Sequence, residues 1–440
     1  MNKRFLRLLA LSFLVTVAGM VLCLVLLCSF GFDYQNMVRG GSIDLRNRIT
    51  GIRLMEKGVD PFHYKWRQGE PPEFCDLYNN LAVPVSKTTV TPTFLMVHWP
   101  LARFPYRSAQ FDWLVFQWVC LIGAGVIWLR ACGSVRDRLL WAFLLTGFTF
   151  TFAWRLHAER GQSYVVLMFL LAWWLTQSRG KSLGGGFVSG LIAGFLIALR
   201  PPLLLVLVPF IVVHGRNQIG GAIAGLAAGA GVPLLLDASC WQDYLGGMQE
   251  WSHVYRQGFN PRPPVQDFPP VIEGLPTYLL GRFATLPYAD SSLYYLLRKS
   301  CGISGLPALP FAALLVSLVM LWFWRARRLP ADVVLVGVAA WSFLMDFFLP
   351  AMRNSYNDVL VLNIIGFGLA AGLRCGGWSL RLGLATLPVA WLILHELPQQ
   401  VWIINLPTLA YTLIAVFALV LPLIKKDDES LVAKPGASDN

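Results

Sequence analysis

The chain has 440 residues, of which 56% are hydrophobic and only 14% charged, whereas a soluble domain carries roughly 25% charged residues. That excludes a water-soluble body of this size and makes the membrane span the natural unit. The net charge of +12 does not indicate nucleic acid, because no basic run is interleaved with aromatics in a polar segment, and the cytoplasmic loops of a multi-span protein account for such an excess.

Lys3, Arg4 and Arg7 precede an almost wholly apolar run from Leu8 to Phe30. The run is too long for a signal-peptide core and no small-residue cleavage site follows, so residues 1–30 are read as a retained helix with its amino end in the cytoplasm. Residues 31–110 form an outer segment. Within it Leu45, Ile49, Ile52 and Met55 recur at helical spacing and predict an amphipathic helix with Asp44 near its start. Gly58-Val59-Asp60-Pro61-Phe62 ends that helix, with Asp60 closing a turn. Thr91 to Pro105, broken by Pro92, Pro100 and Pro105, is read as a re-entrant or interfacial helix.

Residues 111–424 are the expected bundle. Apolar runs at 111–129, 139–154, 163–176, 183–199, 201–213, 219–236, 306–324, 333–349, 359–373, 382–397 and 402–424 give, with the first helix, about twelve spans against the ~20 residues a crossing needs. Residues 237–305 are a second outer loop, and 425–440 a cytoplasmic tail whose charged and small residues predict disorder. With Thr91–Pro105 not crossing, Arg130, Arg136, Arg138, Arg179, Lys181, Arg216, Arg325, Arg327, Arg328, Arg374, Arg381, Lys425 and Lys426 all fall on the side of Lys3, as the positive-inside rule requires.

The same parity leaves Arg46, Arg48, Arg155, Arg160, Arg200, Arg353 and His157 on the outer side near span ends. Run 201–213 covers only about 20 Å at 1.5 Å per residue, which sinks Arg200 below the outer interface. Broken helices are tolerated where they line a protein cavity, and an ionisable residue at that depth is a functional hypothesis by default. The expectation is an outward-facing, positively lined cavity suited to a phosphate near the lipid surface.

Each candidate has two readings. Asp44 is a general base at the cavity lip, or it favours the helix amino end or pairs with Arg48 at i+4. In Arg155-Leu156-His157-Ala158-Glu159-Arg160-Gly161-Gln162, Arg160 and Gln162 hold a phosphate or sugar hydroxyl, or the stretch is an internally paired Arg and Glu turn. Arg200, before Pro201 and Pro202, faces the cavity, or snorkels to headgroups. Arg353-Asn354-Ser355-Tyr356-Asn357-Asp358 offers side chains such as Asn357 to a ligand, or is a solvated turn. The eight cysteines are scattered without a CxxC pair, which indicates neither a metal cluster nor a disulfide framework. A Cys240–Cys301 pair across the second loop is open in an oxidising compartment, although no motif supports it.

An amino-terminal span, an outer Asp-Leu, a Gly-x-Asp-Pro-aromatic stop, a Pro-rich helix ending in Phe-Pro, a Gly-Gln turn and an Arg-Pro break occur here in that order, from Ile43 through Arg200. Together they resemble the GT-C class of membrane glycosyltransferases, and most closely family 87, the polyprenol-phosphate-mannose-dependent mannosyltransferases. The sequence departs from that family's pattern at Ser355 to Asp358, where members often carry His. The resemblance implies an all-α, GT-C-like bundle; the charge parity puts both termini in the cytoplasm, and the absence of eukaryotic retention signals fits a bacterial inner membrane. The resemblance also implies transfer of a hexose, mannose first, from a polyprenyl-phosphate donor to a lipid or glycan acceptor at the outer face. Asp44 is the implied base, and Arg200, Arg160 and Arg353 the implied stabilisers of the leaving phosphate. The substrate-binding set expected around them is Arg46, Arg48, Asp60, His157, Gln162 and Asn357. No cofactor or metal is expected, although Asp33, Asp60 and Asp76 remain as carboxylates that a metal would use. Membrane lipids are the only other expected partners.

Three other classes compete. A flippase for a lipid-linked sugar would use the same cavity but should show paired inverted halves, which the sequence lacks. A polysaccharide polymerase or ligase should carry its decisive polar loop late in the chain. A non-catalytic scaffold leaves Arg200 at depth without a purpose.

Overall fold

A computed structural model describes residues 3–76, 81, 83–86, 88–179, 183–258, 290–370, 400–401 and 404–432. The expected span 382–397 and part of the loop 237–305 lie outside them.

The fold is all-α apart from a two-residue antiparallel pairing of Gln400–Val401 with Ile404–Asn405. In chain order the helices are α1 (Lys3–Gly40), α2 (Ile43–Met55), α3 (Pro92–Val97), α4 (Trp99–Ala102), α5 (Tyr106–Ala131), α6 (Val135–Phe148), α7 (Phe152–Arg160), α8 (Tyr164–Gln177) and α9 (Leu183–Leu199). After these come α10 (Leu204–His214), α11 (Ile219–Gly231), α12 (Cys240–Arg256), α13 (Leu293–Cys301), α14 (Ala308–Ala326), α15 (Ala331–Leu344), α16 (Val361–Ala370) and α17 (Leu406–Val432). Among the described residues 5 helices are individually long and apolar enough to cross a membrane, or 6 if α6 and α7 count as one bent span. Further apolar helices, among them α8 and α10, are shorter, so helix length alone does not reach the expected twelve. The chain is a polytopic, helical membrane protein.

Two expected boundaries shift. Helix α1 does not stop at Phe30 but runs to Gly40, because Asp33, the first charged residue beyond Phe30, is bonded inside the bundle. Asp33 accepts from Trp118 Nε1 at 3.1 Å and Trp154 Nε1 at 2.9 Å and pairs with Arg155. At the other end α17 continues to Val432, so the tail expected to be disordered from Lys425 begins as helix.

The α6–α7 pair bends by 57°, and threonines cause it. Thr146, Thr149 and Thr151 each turn a hydroxyl back onto a carbonyl of the preceding turn at 2.8 Å, which competes with the helical ladder. Thr151 then caps α7 by accepting from Trp154 N at 3.2 Å. The bend aims α7 and its last residue, Arg160, at α2.

Helices α9 and α11 meet backbone to backbone. Gly186, Gly190 and Gly194 face Gly221, Gly225 and Gly229, each set repeating every fourth residue. A Cβ on Gly190 or Gly194 would lie 2.0 Å from the carbonyl oxygen of Gln218 or Ala222, and one on Gly221 at 2.0 Å from that of Phe187. Small residues at this spacing let membrane helices close on van der Waals contact alone. Gly190→Ala should therefore destabilise the protein by about 2–3 kcal/mol through overpacking, read as a lowered Tm in detergent. An unchanged Tm would mean that the helices are not in contact there.

Helix α2 is wedged into the bundle rather than laid on its surface, with Leu45, Ile49, Ile52 and Met55 all buried. Arg53 fastens it to the end of α4 by donating to Ala102 O at 2.9 Å and Phe104 O at 3.1 Å. The short helix α3 is bolted in the same way, Thr91 Oγ1 donating to Leu199 O at 3.1 Å and Thr93 Oγ1 to Gly229 O at 2.9 Å.

Candidate active site

One cavity of about 260 Å³ gathers Asp44, Arg48, Arg160, Gln162, Arg200, Arg353 and Asn357 from four separate stretches of chain. Tyr164, Tyr244, Trp251 and Asp346 also stand in its wall.

Asp44 sits in the first turn of α2. Arg160 grips its carboxylate with both arms, Nε to Oδ2 at 2.7 Å and Nη2 to Oδ1 at 3.3 Å, and Gln162 Nε2 donates to Oδ2 at 2.5 Å. The Asp44 side chain keeps 17% of its surface exposed, so the carboxylate reaches the cavity despite these partners. Arg160 thus pairs across the chain with Asp44 rather than within a turn with Glu159.

The turn that carries Gln162 needs its glycine. Gly161 has a φ of +65°, in the region that favours glycine, and a Cβ there would lie 2.6 Å from Leu45 Cβ. Its carbonyl accepts from Arg48 Nη1 at 2.8 Å and Trp113 Nε1 at 3.0 Å. Arg48 Nη2 donates to Gln162 Oε1 at 2.7 Å.

The arginines of the cavity differ in how their charge is balanced. Arg160 pairs with Asp44, Arg200 with Asp346 and Arg353 with Asp358. Among the described residues Arg48 alone of the four hydrogen-bonds only neutral oxygens. Burial pulls its guanidinium below the ordinary arginine range, and the Asp44 charge acts the other way. A buried cation without a counter-ion is costly unless something anionic balances it.

Arg200 precedes Pro201, and its extended backbone (φ −145°, ψ 89°) is what a residue before proline adopts. Its side chain closes a four-membered ring. It pairs with Asp346 and donates from Nη1 to Tyr164 Oη at 3.1 Å, while Asn357 Nδ2 donates to the same Tyr164 oxygen at 3.0 Å and to Asp346 Oδ2 at 2.9 Å. Asp346 lies in the 3₁₀ turn Met345–Phe348 that ends α15.

Arg353 is held differently. Its guanidinium donates to Asp358 Oδ1 at 2.8 Å and Ser291 Oγ at 3.0 Å and lies 3.9 Å from the Phe347 ring centroid. Thr408 Oγ1 closes the far side of Asp358 at 2.6 Å.

Three expected site residues stand outside the cavity. Arg46 and Arg48 are two residues apart and so point to different sides of α2; Arg46 binds Cys75 O at 3.2 Å and Pro72 O at 3.1 Å, tying down the outer segment. Asp60 accepts from Phe62 N at 2.7 Å and contacts His63 Nδ1 at 2.6 Å, a closed turn. His157 stacks on Trp154 and its Nε2 accepts from Val165 N at 3.1 Å, so it joins α7 to α8. Asp33 is taken by Arg155 and two tryptophans, and Asp76 by Asn47 Nδ2 at 2.9 Å. Among the described residues no group of three or more His, Cys, Asp or Glu is placed to share an ion. Cys240 and Cys301 are both free thiols, one buried and one exposed, which corrects the pairing held open above.

Sequence reasoning missed Asp346 and Tyr164. The signal for Asp346 was present, a single carboxylate inside the apolar run 333–349. Tyr164 follows the Gly161-Gln162 turn and opens α8, where its place was readable but not its partner.

No curated protein and no solved structure matches the chain. The profile of glycosyltransferase family 87 matches residues 89–350, more than half of its length and most of the cavity wall. The protein belongs to glycosyltransferase family 87.

Proposed function

We propose that this glycosyltransferase moves a hexose, mannose first, from a polyprenyl-phosphate donor to a lipid- or glycan-linked acceptor. The reaction runs at the outer face of a bacterial inner membrane, with both termini cytoplasmic. What carries the reading is a single cavity in which a carboxylate and a net positive arginine wall face one another. Asp44 takes the proton of the acceptor hydroxyl as that oxygen bonds to the anomeric carbon. The bond from that carbon to the phosphate oxygen breaks, and the electron pair leaves on the polyprenyl phosphate. The leaving group gains one negative charge. Arg48, which among the described residues hydrogen-bonds only neutral oxygens, and the exposed edge of Arg200 stabilise it where it develops. Arg353 anchors the wall rather than touching the phosphate.

The test is a panel of labelled polyprenyl-phosphate sugars offered to purified protein in nanodiscs with a crude lipid acceptor extract. Acceptor-dependent release of polyprenyl phosphate from one hexose donor is the expected result. Consumption of no donor, with labelled lipid-linked sugar changing leaflet in liposomes, would replace the transferase donor reading with a flippase.

A further inference from the structure

Asp44 and Arg48 stand one turn apart on α2, the spacing at which Asp and Arg pair directly on a helix. Here they do not pair, because a neutral amide stands between them. Gln162 accepts from Arg48 on Oε1 at 2.7 Å and donates to Asp44 from Nε2 at 2.5 Å. Turning the amide over would set its N–H groups against a guanidinium and its carbonyl against a carboxylate, so its direction is fixed. Its backbone is fixed as well. Gln117 Nε2 donates to Gln162 O at 2.6 Å, and the neighbouring Gly161 is locked against Leu45.

We infer that Gln162 is a positioning residue: by holding Arg48 off Asp44 it keeps Asp44 able to take the acceptor proton and leaves the Arg48 charge for the donor phosphate. This replaces the expectation that Gln162 itself holds substrate, since both ends of its amide are used within the protein. A second arginine on Asp44 would stabilise the carboxylate so far that it became a poor proton acceptor. The same contact would neutralise Arg48, which among the described cavity arginines alone hydrogen-bonds only neutral oxygens. The inference rests on Asp44 being the base and the donor being a polyprenyl-phosphate hexose.

Two variants push the arrangement in opposite directions. Gln162→Leu lets Arg48 close on Asp44: kcat should fall about 100-fold, donor KM should rise, and the acid limb of the pH–rate profile should move down by about one pH unit. Gln162→Glu keeps the shape but places a carboxylate between the two: it engages Arg48 and repels Asp44, so the acid limb should move up by about one pH unit. Limb position does not depend on how much of the protein is folded, and Glu, nearly isosteric with Gln, carries the test if the Leu variant does not fold. The substrate is the polyprenyl-phosphate hexose that the wild type consumes. Variants that lose rate but keep the wild-type limb would show Gln162 to be merely structural and overturn the inference alone. A wild type that consumes no such donor, or normal turnover by Asp44→Asn, would overturn the parent reading and the inference with it.

Discussion

Asp44→Asn should slow sugar transfer by about a thousandfold, in the middle of the range for loss of a general base, while the protein stays folded. The replacement keeps the shape of the side chain and removes its charge and proton affinity. Arg160 then faces an amide instead of a carboxylate, and the cavity becomes more positive by one charge. A phosphate-bearing donor should accordingly bind as well as before or better, so that kcat falls while donor KM holds or drops. That split separates a lost base from a broken site, in which both parameters would worsen. The measurement is steady-state transfer from the hexose donor beside equilibrium binding of the same donor. Wild-type turnover by the variant would return Asp44 to the lesser role of stabilising the start of α2.

The largest loss of stability is expected from Asp358→Ala. Arg353 and Asp358 are 1% and 0% exposed, and removing the carboxylate leaves a guanidinium buried without its counter-ion, at a cost of about 3–5 kcal/mol. Replacing both partners together, Arg353→Met with Asp358→Leu, should recover most of that loss, because an apolar pair carries no desolvation penalty. Chemical denaturation in detergent gives both values. The double variant should also keep transfer activity: Arg353 lines the cavity but leaves only 1% of its side chain exposed, whereas Arg200 leaves 19%. A folded but inactive double variant would put Arg353 on the phosphate after all.

What could be read beforehand follows from what a linear pattern records. The apolar stripe of α2, the stop at Gly58 and the polar connectors between apolar runs are local signals, and they pointed to Asp44, Arg160, Gln162 and Arg200. Partner choice is not local. Arg160 reaches back 116 positions to Asp44, and Arg200 forward 146 positions to Asp346. Such distances also explain the misplaced end of α1, since Asp33 reads as the start of a polar loop until Trp118, Trp154 and Arg155 are known to surround it. The error at Arg46 had a nearer cause. Helical phase alone sets it on a different side from Arg48, and that step was there to be taken.

The stripe of glycines between α9 and α11 has a consequence for any mutational survey of this enzyme. Two helices that touch along their backbones travel together, and this unit ends at Leu199, one residue before Arg200, while Thr91 and Thr93 rivet it to α3. A side chain inserted anywhere along the seam would tilt the unit like a shim under a beam, and Arg200 would shift with its end. Such variants would weaken turnover without altering one residue of the cavity. On a map of sensitive positions they would form a line leading away from the active site, easily mistaken for a second ligand channel.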